Sequence, residues 1–332
     1  METVSLGRTD MRITRVGFGA WATGGAGWKF AWGAQDDDES VAAIRRALEG
    51  GVNWIDTAAV YGLGHSEEVV RRALTGVPDA DRPYLFTKCG IRWDPADPTA
   101  RPTRVGSPAS LRDEVEASLR RLGVERIDLY QMHQPAEDGT PLEEYWSTLL
   151  ELKASGKVRA VGLSNHRAAQ LDVAEKLGHV DTLQPPFSAV HRDAADELAW
   201  CDAHDTGVIV YSPMQAGLLT GSFSAERAAT LPDDDWRHAH PDFTGDALRR
   251  NLTLADGLGA IAARHGVSTG AVAVAWTLAW PGVTGAIVGA RSAGQVDGWL
   301  PAGTLRLTPA ELTEVADLIT TSGAGSGPVS PA

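Results

Sequence analysis

What constrains this chain most is an alternation. Eight short β-like runs, at 13–17, 52–55, 83–87, 127–131, 160–163, 182–184, 208–211 and 285–288, are separated by stretches with helical apolar spacing. Parallel strands need crossover connections, and helices are the usual ones, so this order predicts an α/β fold. Two architectures compete. A doubly wound sheet uses fewer strands per domain and would normally split 332 residues in two. A closed (β/α)8 TIM barrel takes all eight units into one domain and carries long loops at one mouth. No break in composition divides the chain, which favours the barrel. Residues 1–321 then form one domain, and the Ser/Gly-rich 322–332 read as a flexible C-terminal tail. Runs 4–6 and 11–14, joined by Gly7-Arg8-Thr9-Asp10, look like a hairpin able to plug the barrel's bottom. Segments 24–36, 91–106 and 214–246 become long loops at the C-terminal mouth, where such barrels keep their active sites.

Helix punctuation supports the frame. Asp38 is the expected cap of a helix with Val41, Ile44 and Leu48 on one face, ended by Gly50-Gly51. Ser107-Pro108 opens another, with Leu111, Val115, Leu119 and Leu122 in helical register before Gly123. Thr140-Pro141-Leu142-Glu143 reads as a capping box.

Bulk properties exclude several functions. The net charge is −13, with Asp36-Asp37-Asp38 and Asp233-Asp234-Asp235 clustered and no basic block. Nucleic-acid binding relies on clustered Lys and Arg, so no such partner is expected. Two cysteines, Cys89 and Cys201, are too few for a disulfide framework or a four-cysteine metal site, and no metal is expected. Cys89 reads as a small buried hydrophobe. Residues 1–15 lack a signal-peptide core, and the apolar run 271–280 is too short to span a bilayer. The expectation is a cytoplasmic protein with no membrane partner. Its oligomeric state is not legible.

One pattern misleads. Gly17-Phe18-Gly19-Ala20-Trp21-Ala22 fits a loose dinucleotide-binding G-x-G-x-x-A. That device needs a helix starting inside it, to set a helix N-terminus on the pyrophosphate. The residues that follow, through Lys29-Phe30, show no helical period before Asp38. A Rossmann turn is rejected.

On the barrel reading, strand ends converge at the mouth. Strand two ends at Asp56 with Tyr61 beyond it; strand three ends at Lys88, and strand four runs into His133. Singly, these read as a turn cap, a packed loop aromatic, a solvated strand end and a core histidine. Jointly they read otherwise. A lysine after Tyr84-Leu85-Phe86 should be half-buried, and burying an unpaired charge is expensive. An Asp56–Lys88 pair resolves that expense. A nearby ammonium is then expected to lower the phenol pKa of Tyr61 from its usual value near 10. A phenol so placed suits protonation of a carbonyl oxygen while a hydride arrives from elsewhere, with His133 assisting.

The stretches GVNWIDTAAVYGLGHSEE, LFTKCG, RRLGVERIDLYQMHQP, GKVRAVGLSN, YSPMQAGLLTG and IVGARSAGQ resemble, in order and over nearly the whole chain, the aldo-keto reductases. The resemblance implies a (β/α)8 barrel that binds extended NADPH/NADP+, with Tyr61 as general acid and Asp56, Lys88 and His133 completing a tetrad. It implies that Ser164, Asn165 and Gln184 meet the nicotinamide carboxamide and that Tyr211 stacks on its face. Gly19, Ala20, Trp21, Ser212, Met214, Gly217, Leu219 and Gly289 would flank the cofactor, with Arg291 and Gln295 at the adenosine end. One departure stands out: Trp299 occupies a position where the family often has an adenine-contacting asparagine. The presence of His133 argues for a carbonyl or alcohol substrate over double-bond reduction. Trp28, Trp32 and Trp93 fall on mouth loops and suit a ring or sugar-like substrate, although loop anchoring explains them equally.

Two other functions compete. A cofactor-sensing regulatory subunit similar to potassium-channel β-subunits would share the tetrad, but no docking extension is visible. A Schiff-base isomerase or lyase would need Lys88 free of Asp56.

Overall fold

A computed structural model describes residues 1–232 and 235–331. Asp233 and Asp234 of the second acidic cluster, and Ala332 of the tail, lie outside the described residues.

Eight parallel strands close into a barrel: β3 (Val16–Gly19), β4 (Trp54–Asp56), β5 (Tyr84–Cys89), β8 (Ile127–Met132), β9 (Val158–Ser164), β10 (Thr182–Gln184), β11 (Gly207–Val210) and β12 (Gly285–Gly289), with β12 pairing back onto β3. A hairpin of β1 (Thr3–Ser5) and β2 (Arg12–Thr14) precedes them, and β6 (Ile91–Arg92) pairs with β7 (Thr103–Arg104) in the loop after β5. The helices are α1 (Asp37–Glu49), α2 (His65–Ala73), α3 (Pro108–Leu122), α4 (Leu142–Ala154), α5 (Ala168–Leu177), α6 (Ala195–Ala203), α7 (Ala225–Ala229), α8 (Gly245–His265), α9 (Thr269–Ala279), α10 (Ala293–Trp299) and α11 (Pro309–Ser322). None of the described helices is long and apolar enough to cross a membrane.

The barrel's two-residue period decides everything downstream. Outward residues such as Ile55, Leu85 and Cys89 join the large core under the helices. Inward residues Trp54, Phe86, Leu129, Ala160 and Ile209 form a separate core with Leu6 and Met11 of the hairpin. The plug expected from the sequence is therefore there, and it seals the bottom. Trp54 fills the interior so completely that a Cβ at Gly17 would lie 2.2 Å from its ring, which is why only glycine fits. Continuing the same inward parity upward brings Asp56, Lys88, Gln131 and Gln184 to the top layer.

Several boundaries differ from expectation. The run 13–17 is two strands: the Asn53 side chain accepts the Thr14 N–H at 2.8 Å, ending the hairpin, and the barrel strand starts at Val16. Asp36, not Asp38, caps α1 by accepting the Glu39 N–H at 3.0 Å, while Asp38 pairs with Arg72. Thr140 forms no capping box; Asp138 turns the chain there and Pro141 stands at the N-cap of α4. No α-helix starts within Gly17–Ala22, only a short turn at Ala22–Gly24, so the rejection of a Rossmann turn holds.

The expected flexible tail is a packed strap over the residues described. Ser326 exchanges backbone bonds with Val190 and Arg192, and the buried Arg192 guanidinium reaches the carbonyls of Ala324, Gly327 and Pro328. The glycines there permit close approach: a Cβ at Gly325 would sit 1.9 Å from the Val190 carbonyl oxygen. Glycine content was read as mobility when it reflects contact.

Candidate active site

Asp56 and Lys88 stand on neighbouring strands in the top inward layer, both essentially without solvent exposure. Lys88 Nζ donates to Asp56 Oδ1 at 2.5 Å and to the Thr57 carbonyl at 2.8 Å, and lies 3.4 Å from the Tyr61 hydroxyl. Tyr61 reaches this point because the chain turns sharply after β4. Gly62 has φ +59, and a Cβ on it would meet the Gly24 carbonyl at 2.2 Å, so the loop after β3 packs backbone to backbone against it. His133 follows β8, its ring edge-on to Tyr61 at 5.7 Å between centroids. The four side chains expected to work together do meet.

The electrostatics differ from expectation at one point. Burial raises the Tyr61 pKa well above its ordinary value, and the Asp56 charge pushes it the same way. The Lys88 ammonium, shared with Asp56 at 2.5 Å, does not reverse this direction. The phenol is thus held protonated. Burial also opposes the charges of the pair itself, drawing the Asp56 carboxyl up and the Lys88 amine down against their mutual attraction. His133 is pushed well below its usual value by burial and by the Lys88 and Arg104 charges, so its ring is neutral.

Around the mouth lies a cavity of about 680 Å³. Most of the expected cofactor positions line it: Gly19, Ala20, Trp21, Ser164, Asn165, Gln184, Tyr211, Ser212, Met214, Gly217, Gly289, Arg291 and Gln295. Leu219 does not; it is buried in the core. Trp28 and Trp32 line the cavity, whereas Trp93 packs behind it with Ala58 and Val60. Trp21 lies nearly parallel to Tyr61, 6.2 Å between centroids.

The groove's polar groups are ordered by one another. The Tyr211 hydroxyl donates to Asn165 Oδ1 at 2.8 Å, and Asn165, at φ +62, donates from Nδ2 to the His133 carbonyl. Gln184 Nε2 donates to Asp56 Oδ2 at 2.9 Å, so this amide faces the tetrad as well as the groove. Arg291 is not a free loop charge. Its Nε donates to Gln35 at 2.7 Å and its Nη atoms to the carbonyls of Trp32 and Ala34, while the nearby acid Asp297 binds Arg46. Across the mouth, Arg237 lies 5.1 Å over the Trp32 ring and pairs with Asp235.

Sequence reasoning missed Gln35, Arg237 and His166, whose roles arise from long-range contacts that no local pattern marks. His166, 1% exposed, sits behind Ser164 and Asn165; Nδ1 donates to the Ser164 carbonyl and Nε2 accepts from Tyr145 at 2.8 Å. Its pKa is drawn down to about 4 by burial. The folded pKa is below the unfolded value near 6.5, so the unfolded chain binds more protons between those limits. The His166 contribution is therefore fully present above about pH 6.5 and lost as pH falls toward 4, about 3 kcal/mol at most. Urea midpoints across that range should fall more steeply for the wild type than for His166→Gln; parallel curves would contradict the assignment.

Three comparisons place the chain among known proteins. The model of the aldo/keto reductase family matches residues 15–320. The chain is 35% identical over 90% of its length to the aldo-keto reductase YhdN of Bacillus subtilis, covering 87% of that protein. It is 31% identical to the NADH-specific methylglyoxal reductase of Escherichia coli, over 96% of this chain and 98% of that one. Among solved structures, a glycerol dehydrogenase of Gluconobacter oxydans superposes with a TM-score of 0.88 at 38% identity, covering 98% of this chain and 97% of that one.

Proposed function

This chain belongs to the aldo/keto reductase family, and from that premise we propose that it is an NADP(H)-dependent oxidoreductase that interconverts a small aldehyde, ketone or sugar-like carbonyl with its alcohol. The observation that carries the proposal is the joining of Asp56, Lys88 and Tyr61 by one ammonium at the barrel mouth, beside a neutral His133. When bound, the nicotinamide supplies or accepts the hydride. The chain's own part is to orient the reactants and move one proton.

In reduction, Tyr61 Oη gives its proton to the carbonyl oxygen as that oxygen gains charge. The nascent phenolate lies beside the Lys88 ammonium, so the charge develops where a donor already points. His133, neutral, holds the substrate oxygen by a hydrogen bond. In oxidation the same groups work in reverse. Tyr211 and Asn165 would set the nicotinamide face, and Gly19, Gly217 and Gly289 leave room for the cofactor's backbone. Trp21 and Trp28 flank Tyr61 and would form the walls of the substrate pocket. The relatives that act on glycerol and on methylglyoxal support a small oxygenated substrate.

The NADP(H) reading rests on Arg291. Three of its five N–H groups are bonded, all to neutral acceptors. Its full charge and two donors remain for a 2′-phosphate, and Gln35 holds the guanidinium in place. Arg291→Ala should weaken NADPH binding by roughly 1.5–3 kcal/mol and leave NADH nearly unchanged, followed by tryptophan-fluorescence quenching. Equal losses, or a wild-type preference for NADH as in the Escherichia coli relative, would overturn it. Activity itself is tested by following NADPH and NADH oxidation against a panel of aldehydes, ketones and sugars; no turnover with either cofactor would reject the proposed function.

A further inference from the structure

The motif Ser66-Glu67 that opens α2 has no part in the chemistry above, yet both side chains are completely buried. Both point under the mouth. Ser66 Oγ contacts Thr57 Oγ1 at 2.8 Å and Thr23 Oγ1 at 2.9 Å, and it donates to the Ala20 carbonyl at 2.7 Å. Thr57 and Thr23 are themselves buried. Glu67 accepts from Thr87 Oγ1 at 2.7 Å and from Arg121 at 2.6 Å. One helical turn therefore grips three consecutive strand ends: Ala20 after β3, Thr57 after β4, and Thr87 beside Lys88 in β5.

The grip reaches the tetrad through the backbone. Thr57 follows Asp56 directly, and its carbonyl accepts the second Lys88 hydrogen bond. Four residues later comes Tyr61. We propose that Ser66 is a positioning residue for the proposed catalytic tetrad: through the Thr57 and Thr23 hydroxyls it sets the path of residues 56–61, and with it the distance between Tyr61 Oη and the Lys88 ammonium. Serine suits the hub chemically. One small hydroxyl, with one proton and two lone pairs, meets the Thr57 and Thr23 hydroxyls and the Ala20 carbonyl, to which Thr23 also donates at 2.7 Å; alanine has no group to do so. Glu67 performs the same service for β5, its buried carboxylate held between Thr87 and Arg121. The assignment rests on the oxidoreductase reading for its kinetics but not for its geometry.

The test uses an isosteric pair. Thr57→Val keeps shape and removes the hydroxyl that binds Ser66; Thr57→Ser keeps the hydroxyl. With a carbonyl substrate turned over by the wild type, Thr57→Val should lose at least tenfold in kcat while the cofactor Kd stays within twofold. Thr57→Ser should recover most of that loss, and Ser66→Ala should resemble Thr57→Val. A Thr57→Val enzyme with kcat within twofold of wild type, whatever its melting temperature, would reduce the cluster to ordinary packing and overturn the proposal. A crystal structure of Thr57→Val reads the claim without turnover: the Lys88–Tyr61 separation should exceed that of the wild type, and an unmoved tetrad would also overturn it. A wild type that reduces no carbonyl rejects the activity, and leaves the crystallographic comparison to decide the positioning.

Discussion

Tyr61→Phe is expected to keep the fold and the cofactor affinity and to lose on the order of a hundredfold or more of its turnover. Among the described residues the removed atom makes one long hydrogen bond, 3.4 Å from Lys88 Nζ, and Lys88 retains its bonds to Asp56 and the Thr57 carbonyl. Stability should therefore barely change, which separates a chemical loss from a structural one. The ring also keeps its packing against Trp21 and Trp28. Steady-state kinetics with parallel cofactor titration checks this. A variant that kept near-wild-type kcat would remove Tyr61 from the proposed role. The raised phenol pKa sharpens the prediction, since a phenol that is protonated throughout the neutral range has a proton to give, and phenylalanine has none.

Lys88→Met should be the most damaging single change, because it removes the proposed phenolate partner and strands a buried acid. Asp56 would be left with neutral amides, Gln184 at 2.9 Å foremost, for an almost fully buried carboxylate. Breaking a buried pair by deleting one member costs roughly 3–5 kcal/mol. The loss should depend on pH with a definite sign. Without Lys88, burial dominates and Asp56 has a folded pKa above its unfolded value near 3.9. The variant's stability is then highest below pH 3.9, and it is lost as pH rises through the folded pKa. Denaturation of variant and wild type at pH 5 and pH 8 should thus show a larger gap at pH 8. Lys88→Met with Asp56→Asn should recover much of the stability and none of the turnover. A single variant as stable and active as wild type at both pH values would show that the pair neither holds the site nor tunes the phenol.

The alternation of strand and helix patterns was sufficient to read the closed barrel and its hairpin, because burial periodicity is local and repeats eight times. The convergence of Asp56 and Lys88 was legible for the same reason. Phe86 and Lys88 are two residues apart on one strand, as are Trp54 and Asp56, so each polar residue inherits the inward direction of the aromatic below it. A charged residue on an inward face is a signal that one strand's sequence carries alone. By contrast, the ends of elements were misplaced wherever a side chain from elsewhere set them. Asn53, 39 residues from Thr14, ends the hairpin. The glycines at 325 and 327 accompany a close contact with 190–192 that nothing near them in the chain announces.

What the sequence by itself determined is the set of faces: which residues point inward, which outward, and that an acid, an amine, a phenol and an imidazole reach one rim. What only the tertiary structure decided is the energetics of that rim. The sequence offers Lys88 as a cation near a phenol; the closed barrel sets Asp56 against it at 2.5 Å, buries the pair and half-buries Tyr61, and the phenol pKa rises instead of falling. Arg291 stands at the adenosine end by resemblance alone until barrel closure brings Gln35, 256 residues away, onto its guanidinium. Ser66 is one residue of a matched motif until the ends of β3 and β4 converge on its hydroxyl. The physical reason is common to these cases. Side-chain direction follows from local backbone period, whereas pKa and hydrogen-bond partners depend on solvent exclusion and on neighbours that only the closed barrel brings together.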